Sequence, residues 1–438
     1  MKIAMIGAGG FEFPLRLATD FLSFESLRDS ELALMDINPV TLARTERLLG
    51  RVVEGHAFPT RVSATTDRRE ALAGADLVVC CFQVGGLDAY ALDIKIPRRY
   101  GVDQTVGDTL GPGGVFRGLR TLTVLEELTA DMRALCPDAT LLQYANPMAI
   151  NCWYASTQDV TTVGLCHSVH HTTEFLRSLL GVAKDVWAYR AAGINHQAWI
   201  LEATSDGRDV LPELGLALDQ YGRGECDPGD ETDELYAGNR ESVRRAIMEL
   251  TGHFQTESSH HASEYLPYFR RTPELVARYL PDRWDYLELC QAHDDDALEE
   301  AADRLAAGPL ETSEEVAAVI ADSLVTGTPR IVYGNVRNDG LITNLPDGCC
   351  VEVPCVVDRT GVRPTHVGDL PTACAAMNLG TVAVQACVVD AFEMRSRELV
   401  HAALALDRLT SAVLTLDEIH ALADELIEAQ QGWLPVFT

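Results

Sequence analysis

Lys2-Ile3-Ala4-Met5-Ile6, running into Gly7-Ala8-Gly9-Gly10, decides the fold. A short apolar run bounded by glycine reads as a strand buried on both faces of a parallel sheet, and the glycines as the turn into a helix. Gly7-x-Gly9 is half of the G-x-G-x-x-G dinucleotide fingerprint, whose first glycine makes the tight turn and whose second lets backbone amides approach a pyrophosphate. The third position is Glu12, so the motif alone is equally an ordinary strand-to-helix turn. Asp36 adds weight: it closes a second apolar strand, Leu32-Ala33-Leu34-Met35, where a carboxylate accepts both ribose hydroxyls of an adenosine and repels a 2′-phosphate. Together Gly7, Gly9, Gly10 and Asp36 predict a site for NAD rather than NADP.

Outward from this pair, helical spacing over 39–52 precedes a third strand around 60–62, and residues 76–82 form a fourth that ends at Gln83-Val84-Gly85-Gly86. Gln83, Val84 and Gly85 are further cofactor contacts at that tip. A helix over 117–135 leads to a strand at 140–144 that ends at Asn146-Pro147, and a strand at 160–165 ends at Cys166-His167. The alternation predicts an α/β protein with a Rossmann-type doubly wound parallel sheet, lactate/malate-dehydrogenase-like, and both polar tips fall at carboxyl ends of strands, where such sheets bind ligands. After about residue 166 the pattern loosens. Strands at 198–203 and 330–336 stand among helical stretches at 233–251, 273–307, 313–326, 378–406 and 416–430. We therefore expect an NAD-binding domain over 1–165 and a C-terminal α+β domain over 166–438 for substrate, metal and oligomer contacts.

Composition narrows the partners. The 438 residues allow two or three domains, and 65 acidic against 35 basic side chains give a net charge of −30. Such a surface repels phosphate backbones and anionic lipid, which argues against nucleic acid and membrane partners, and the composition reading finds no apolar run near membrane-spanning length. The start MKIAMIGAGGFEF lacks the long apolar core of a secretory signal, and the twelve cysteines, without a C-x-x-C pair and in apolar settings such as Val79-Cys80-Cys81-Phe82, read as reduced core thiols. The expected compartment is the cytoplasm.

Chemistry concentrates at two tips. Cys166-His167 and the Asn195-His196 pair inside Gly193-Ile194-Asn195-His196-Gln197 offer a thiolate and an imidazole. A single cysteine or histidine is more often a packed core residue. Two such tips beside Asn146-Pro147-Met148 favour a divalent ion held with positions left open for substrate oxygens. Ligand type alone suggests zinc and leaves the metal open. Gly111-Pro112-Gly113-Gly114 reads either as an active-site wall or as a plain turn before the next helix, and Arg117 either binds hydroxyls or pairs with an acid. The doublets His170-His171 and His260-His261 read as surface polar pairs, and Asp294-Asp295-Asp296 with Glu299-Glu300 as a solvated helix face.

Ordered stretches along nearly the whole chain carry a resemblance: Ala33 to Asp36, DTLGPGGVFRGLRT from Asp108, CPDATLLQYANPMA from Cys136, GLCHSV from Gly164, AGINH from Ala192, TESS from Thr256 with Glu264-Tyr265, and YGNVRNDGLITNLPDGCCVEV from Tyr333. The chain resembles glycoside hydrolase family 4, the NAD- and manganese-dependent glycosidases, and is most similar to its α-galactosidase (melibiase) branch. The family stands apart from the two-carboxylate hydrolysis of most glycosidases. The resemblance implies NAD and Mn²⁺ as cofactors, Cys166 and His196 as Mn²⁺ ligands, and Asn146 beside the sugar hydroxyls. It implies Tyr265 as the base and a small glycoside as substrate. His167 stands where phosphoglycoside-specific relatives carry an aspartate that protonates the leaving group, a task an imidazole performs with a pKa nearer neutrality.

The implied route takes hydride from sugar C3, removes the acidified C2 proton, expels the C1 oxygen, adds water and returns the hydride. Dimers or tetramers are usual in the family. α-Glucosidase, α-glucuronidase and α-galacturonidase are alternatives within it. An NAD-dependent 2-hydroxy acid dehydrogenase is the alternative of another class, though it would use histidine and arginine and have no need of a metal thiolate.

Overall fold

Alternate side chains of the first strand enter two different cores. Ile3 and Met5 pack with Leu17, Ala18 and Phe21, while Ala4 and Ile6 pack with Phe116, Leu119 and Leu122. A strand buried on both faces in this way belongs to a sheet with helices on either side. The computed structural model describes residues 1–11, 13–226, 228, 238–292 and 295–438. Glu12, residues 233–237 of the helix expected over 233–251, and Asp294 of the acidic run lie outside them.

Six strands, β1 (Lys2–Ile6), β2 (Glu31–Met35), β3 (Arg61–Thr65), β4 (Leu77–Cys80), β5 (Thr140–Gln143) and β6 (Thr162–Gly164), pair in parallel in the order β3-β2-β1-β4-β5-β6. This is the dinucleotide-binding order. The chain then adds β7 (Trp187–Ile194), β8 (Gln197–Ser205), β9 (Arg208–Asp209), β10 (Arg330–Arg337), β11 (Cys350–Asp358) and β12 (Gly361–Pro364). These continue the same sheet beyond β6 as β10-β11-β7-β8-β9, all antiparallel, with β12 on β11.

The turn after β1 requires glycine. Gly7 sits at φ +96°, and a Cβ there would lie 2.6 Å from the Phe82 backbone nitrogen. At Gly9 a Cβ would meet Thr41 Oγ1 at 2.3 Å.

Several boundaries differ from the sequence reading. The run Gly111-Pro112-Gly113-Gly114 is no loop: it opens the helix Gly111–Leu135, with Pro112 in the first turn where its missing N–H costs nothing. The helix reading over 273–307 breaks into Pro273–Tyr279, Tyr286–Gln291 and Asp295–Ala307, because Pro281 cannot continue the first of them. That over 378–406 divides at Arg395, φ +55°, into Thr372–Met394 and Arg397–Leu406. Among the described residues, 238–251 hold a short 3₁₀ turn and the helix Ser242–Thr251, and 313–326 hold the helix Ala317–Thr326. Glu299 pairs with Arg47 and Arg51 of the helix Pro39–Gly55, so this acidic face is partly engaged instead of wholly solvated. Thr372–Met394 is also long and apolar enough to cross a membrane, contrary to the composition reading. Its Cys374 and Val382 pack in one core and its Val388 and Phe392 in the other.

Candidate active site

Cys166 stands two residues beyond β6 and His196 two beyond β7, and the sheet register ties these strands together. Gly164, Asn335, Glu352 and Gly193 pair in one row across β6, β10, β11 and β7. His196 closes the β7–β8 hairpin at φ +60°, a left-handed conformation in which histidine is enriched among side-chain-bearing residues.

Cys166 Sγ, a ring nitrogen of His196 and a carboxylate oxygen of Glu257 lie within 4.8 Å of one another, the one such group among the described residues. His196 Nε2 is 3.7 Å from Glu257 Oε2. Glu257 sits at φ +76°, an uncommon state for a glutamate that its surroundings must enforce. The sequence reading did not single it out, although it falls within the TESS stretch. A signal was available, because a carboxylate is the hard donor that a thiolate and an imidazole lack.

Burial pushes the Cys166 thiol well up, and Glu352 and Glu257 add to this. Burial drives His196 down to about 4, leaving a neutral ring with a lone pair to offer. Glu257 is lowered: its burial opposes ionisation, but the neighbouring His196, His261 and His167 outweigh it.

His260 and His261 are both fully buried, which overturns their reading as a surface pair. His261 Nε2 lies 2.9 Å from His196 Nδ1, and His261 Nδ1 lies 3.4 Å from Glu264 Oε2. Glu264 accepts the backbone N–H groups of Thr105, Val106 and Gly107 at 2.6, 2.7 and 3.0 Å, and Gln104 Nε2 at 3.1 Å. His170 and His171 are less buried and pair with Glu314. Tyr265 is buried against the edge of His261, ring centroids 5.4 Å apart, with its hydroxyl 3.5 Å from the Asn195 carbonyl oxygen that accepts from it. Burial raises its pKa well above the ordinary value, and Glu257, Asp108, Glu264 and Cys166 push the same way.

A hydrogen-bonded path joins this cluster to the fourth strand's tip. Arg117 Nη2 donates to Gln83 Oε1 and Arg117 Nε to the Asn146 carbonyl, both at 3.1 Å. Asn146 Nδ2 donates to Asp108 Oδ2 at 2.9 Å, Thr109 Oγ1 donates to Asp108 Oδ1 at 2.7 Å, and Thr109 Oγ1 lies 3.3 Å from His196 Nδ1. The Val84 carbonyl accepts from Arg120 Nε at 3.3 Å, and Gly85 caps the helix Gly86–Arg99 at φ +77°. At the glycine turn, Gly10 N–H donates to the Gly7 carbonyl at 3.1 Å and Gly9 N–H to Asp36 Oδ2 at 2.9 Å. His167 Nδ1 is 3.2 Å from Glu315 Oε1. Burial disfavours the charged ring, but the Glu315 bond outweighs this and raises its pKa. Asn146 Oδ1, Arg117 Nη1 and both polar atoms of the Asn195 side chain are buried with no hydrogen-bond partner among the described residues.

A doubly wound nucleotide-binding sheet with a metal-donor cluster wired to its glycine-flanked tips defines a nucleotide-dependent, metal-assisted class of enzyme. Residues 2–182 match the Family 4 glycosyl hydrolase and residues 191–410 the Family 4 glycosyl hydrolase C-terminal domain. The chain belongs to the family 4 glycosyl hydrolases, as the resemblance implied, and is a glycoside hydrolase. It is 39% identical over 455 residues to an α-galactosidase of Rhizobium meliloti (strain 1021), covering 100% of this chain and 89% of that one. It is 36% identical over 442 residues to an α-galactosidase of Bacillus subtilis (strain 168), covering 100% and 99%. A 6-phospho-α-glucosidase from gut microorganisms, solved in complex with NAD and Mn²⁺, shares the fold with a TM-score of 0.80 at 21% identity, covering 100% and 99%.

Proposed function

We propose that this glycoside hydrolase is an exo-acting α-galactosidase for unphosphorylated sugars of the melibiose and raffinose type, dependent on NAD⁺ and Mn²⁺. The observation that carries this is the path from Gln83 through Arg117, Asn146, Asp108 and Thr109 to His196, which joins a cofactor-side tip to a metal-donor set. The choice of sugar rests on the end-to-end likeness to two α-galactosidases.

The residues fit both groups. A thiolate, a neutral imidazole and a carboxylate suit a divalent cation whose charge offsets both anions, and the glycine turn beside Asp36 suits a dinucleotide. When bound, NAD⁺ supplies reversible hydride uptake from a sugar carbon and Mn²⁺ polarises the adjoining sugar oxygens.

Gly7, Gly9 and Gly10 shape the pyrophosphate turn, Asp36 accepts the ribose hydroxyls, and Gln83, Val84 and Gly85 line the nicotinamide side. Cys166 and His196 hold the cation. Asn146, steadied by Asp108, turns its unpartnered Oδ1 to the sugar hydroxyls, and Arg117 Nη1, 3.9 Å from Asp108 Oδ2 and without a hydrogen bond among the described residues, adds a donor beside it. Tyr265 takes the proton from sugar C2 through its phenolic oxygen. His167, oriented by Glu315, gives a proton to the departing glycosidic oxygen.

In this reading residues 1–165 hold the nucleotide and lend Asn146 and Arg117 to the sugar, while 166–438 supply the cation ligands and Tyr265 and His167. We place the enzyme in the cytoplasm, a reading supported by twelve free thiols, as a homodimer or homotetramer with no membrane or nucleic-acid partner.

A panel of aryl α- and β-glycosides tests the proposal. α-Galactoside cleavage that needs both NAD⁺ and Mn²⁺, with deuterium from D₂O at C2 of the released sugar, is expected. Faster α-glucoside or α-galacturonide turnover reassigns the sugar. Full activity after removal of nucleotide and metal, or product without the label, overturns the mechanism.

A further inference from the structure

We infer that His261 and Glu264 form a proton-ordered relay, with Thr109 beside it, that fixes the tautomer of His196 so that its Nε2 lone pair faces the cation. The inference rests on the reading of Cys166 and His196 as the cation's ligands.

A neutral imidazole carries one proton, and a nitrogen can coordinate only if that proton is on the other one. His196 Nε2 is the nitrogen beside Glu257, 3.7 Å from its carboxylate, so Nδ1 must hold the proton. Two groups face Nδ1. Thr109 Oγ1 is one, at 3.3 Å, and its single hydrogen is committed to Asp108 Oδ1 at 2.7 Å. Its oxygen is therefore left to accept. His261 Nε2 is the other, at 2.9 Å.

His261 can accept there only if its own proton sits on Nδ1, and Nδ1 is the atom that lies 3.4 Å from Glu264 Oε2, a charge contact that places the carboxylate beside that nitrogen although Nδ1 makes no hydrogen bond among the described residues. Glu264 is in turn fixed as an acceptor. It receives three successive backbone amides and the Gln104 side chain, all of them donors, and a carboxylate clasped by N–H groups stays ionised. In this order the protons lie on the side away from the cation: His196 Nδ1–H faces His261 and Thr109, and the Glu264 carboxylate beside His261 Nδ1 favours the proton on that nitrogen.

The sequence places the parts economically. His261 and Glu264 are three residues apart, at the end of the turn Ser259–Ala262 and just beyond it, so both side chains address the same region, and Tyr265 follows directly. Partners of this kind typically change metal affinity 10- to 100-fold. His261, Glu264 and Thr109 are positioning residues, since they act through His196.

Mn²⁺ affinity is read directly on the full chain by electron paramagnetic resonance of the free ion, with thermal unfolding and NAD⁺ binding as checks on folding. His261→Phe keeps a ring without an acceptor and should weaken Mn²⁺ binding about 10- to 100-fold while NAD⁺ binding is retained. His261→Gln, whose amide oxygen accepts in its place, should recover much of the loss. Thr109→Val, close in shape, should weaken Mn²⁺ binding severalfold. Mn²⁺ binding by a folded His261→Phe chain as tight as that of the parent overturns the relay. If His261→Phe does not fold, the question passes to Thr109→Val and Glu264→Gln, and unchanged affinity in both overturns it. Cys166→Ser and His196→Ala are the controls: if these leave Mn²⁺ binding intact, the ligand reading itself fails. If they abolish binding while the relay variants do not, the relay alone fails.

Discussion

Asn146 donates its amide to Asp108 Oδ2 at 2.9 Å, and this single bond sets which way the Asn146 carbonyl oxygen faces. With Nδ2 engaged, Oδ1 is the atom left buried and unpartnered among the described residues. Asp108 can play this part because it is held ionised. Its burial opposes the charge, but Arg117 and the Asn146 bond lower its pKa.

Asp108→Asn offers an amide that no longer distinguishes the two ends of Asn146. A misplaced positioning group costs on the order of 100-fold, so kcat/KM for an α-galactoside should fall by about that factor. Steady-state kinetics on the folded variant check this, and unchanged kcat/KM dismisses the orienting role.

Asp36 accepts from the Gly9 N–H at 2.9 Å and from the Asn38 N–H at 2.9 Å, which fixes its carboxylate beside the glycine turn. The parent should bind NAD⁺ more tightly than NADP⁺, and Asp36→Ala should narrow the preference by about tenfold or more by relieving repulsion of the 2′-phosphate. Competitive binding of the two nucleotides decides it. A parent that prefers NADP⁺ makes the ribose contact wrong.

Glu352 lies fully buried in the row that links β6 to β7, with Oε1 accepting from Asn335 Nδ2 at 3.1 Å and Oε2 unpartnered among the described residues. Burial raises its pKa to about 8; the Asn335 bond pulls it down and Glu257 pushes it up. Its ordinary value is near 4.5, so between these limits the folded chain keeps a proton that the unfolded chain releases. The contribution is present in full below about 4.5 and is lost as pH rises through about 8, at roughly 1.4 kcal/mol per pH unit. Glu352→Gln keeps the shape and cannot ionise. In chelator-treated protein it should melt above the parent at pH 8, with the difference shrinking toward pH 5. A pH-independent difference in melting temperature refutes the assignment.

The nucleotide-binding half was legible because strands buried on both faces leave unbroken apolar runs: Ile3 to Ile6, Leu32 to Met35 and Leu77 to Cys80 needed only their glycine and aspartate boundaries. In the antiparallel half only 198–203 and 330–336, within β8 and β10, were legible. β7 spends much of its length on alanine and glycine, and β11 carries Pro354 in mid-strand, which reads as a break although the ladder to β10 passes through it. In the candidate site, Cys166 and His196 were singled out because strand ends and the family likeness mark them, and the structure brings their ligand atoms together with Glu257. Glu257, His261 and Glu264 were missed because, read along the chain, a carboxylate or a histidine pair looks like surface. Only the hairpin at Asn195-His196 and the amides of 105–107 bring them inside.

The pairing of Gly164 with Asn335 carries one further consequence. The boundary drawn after residue 165 falls at a seam where β6 pairs with β10, so one continuous sheet runs through both halves of the chain. A fragment cut at that seam would bare β6 as a raw edge, a template for self-association, and would be expected to precipitate instead of binding nucleotide.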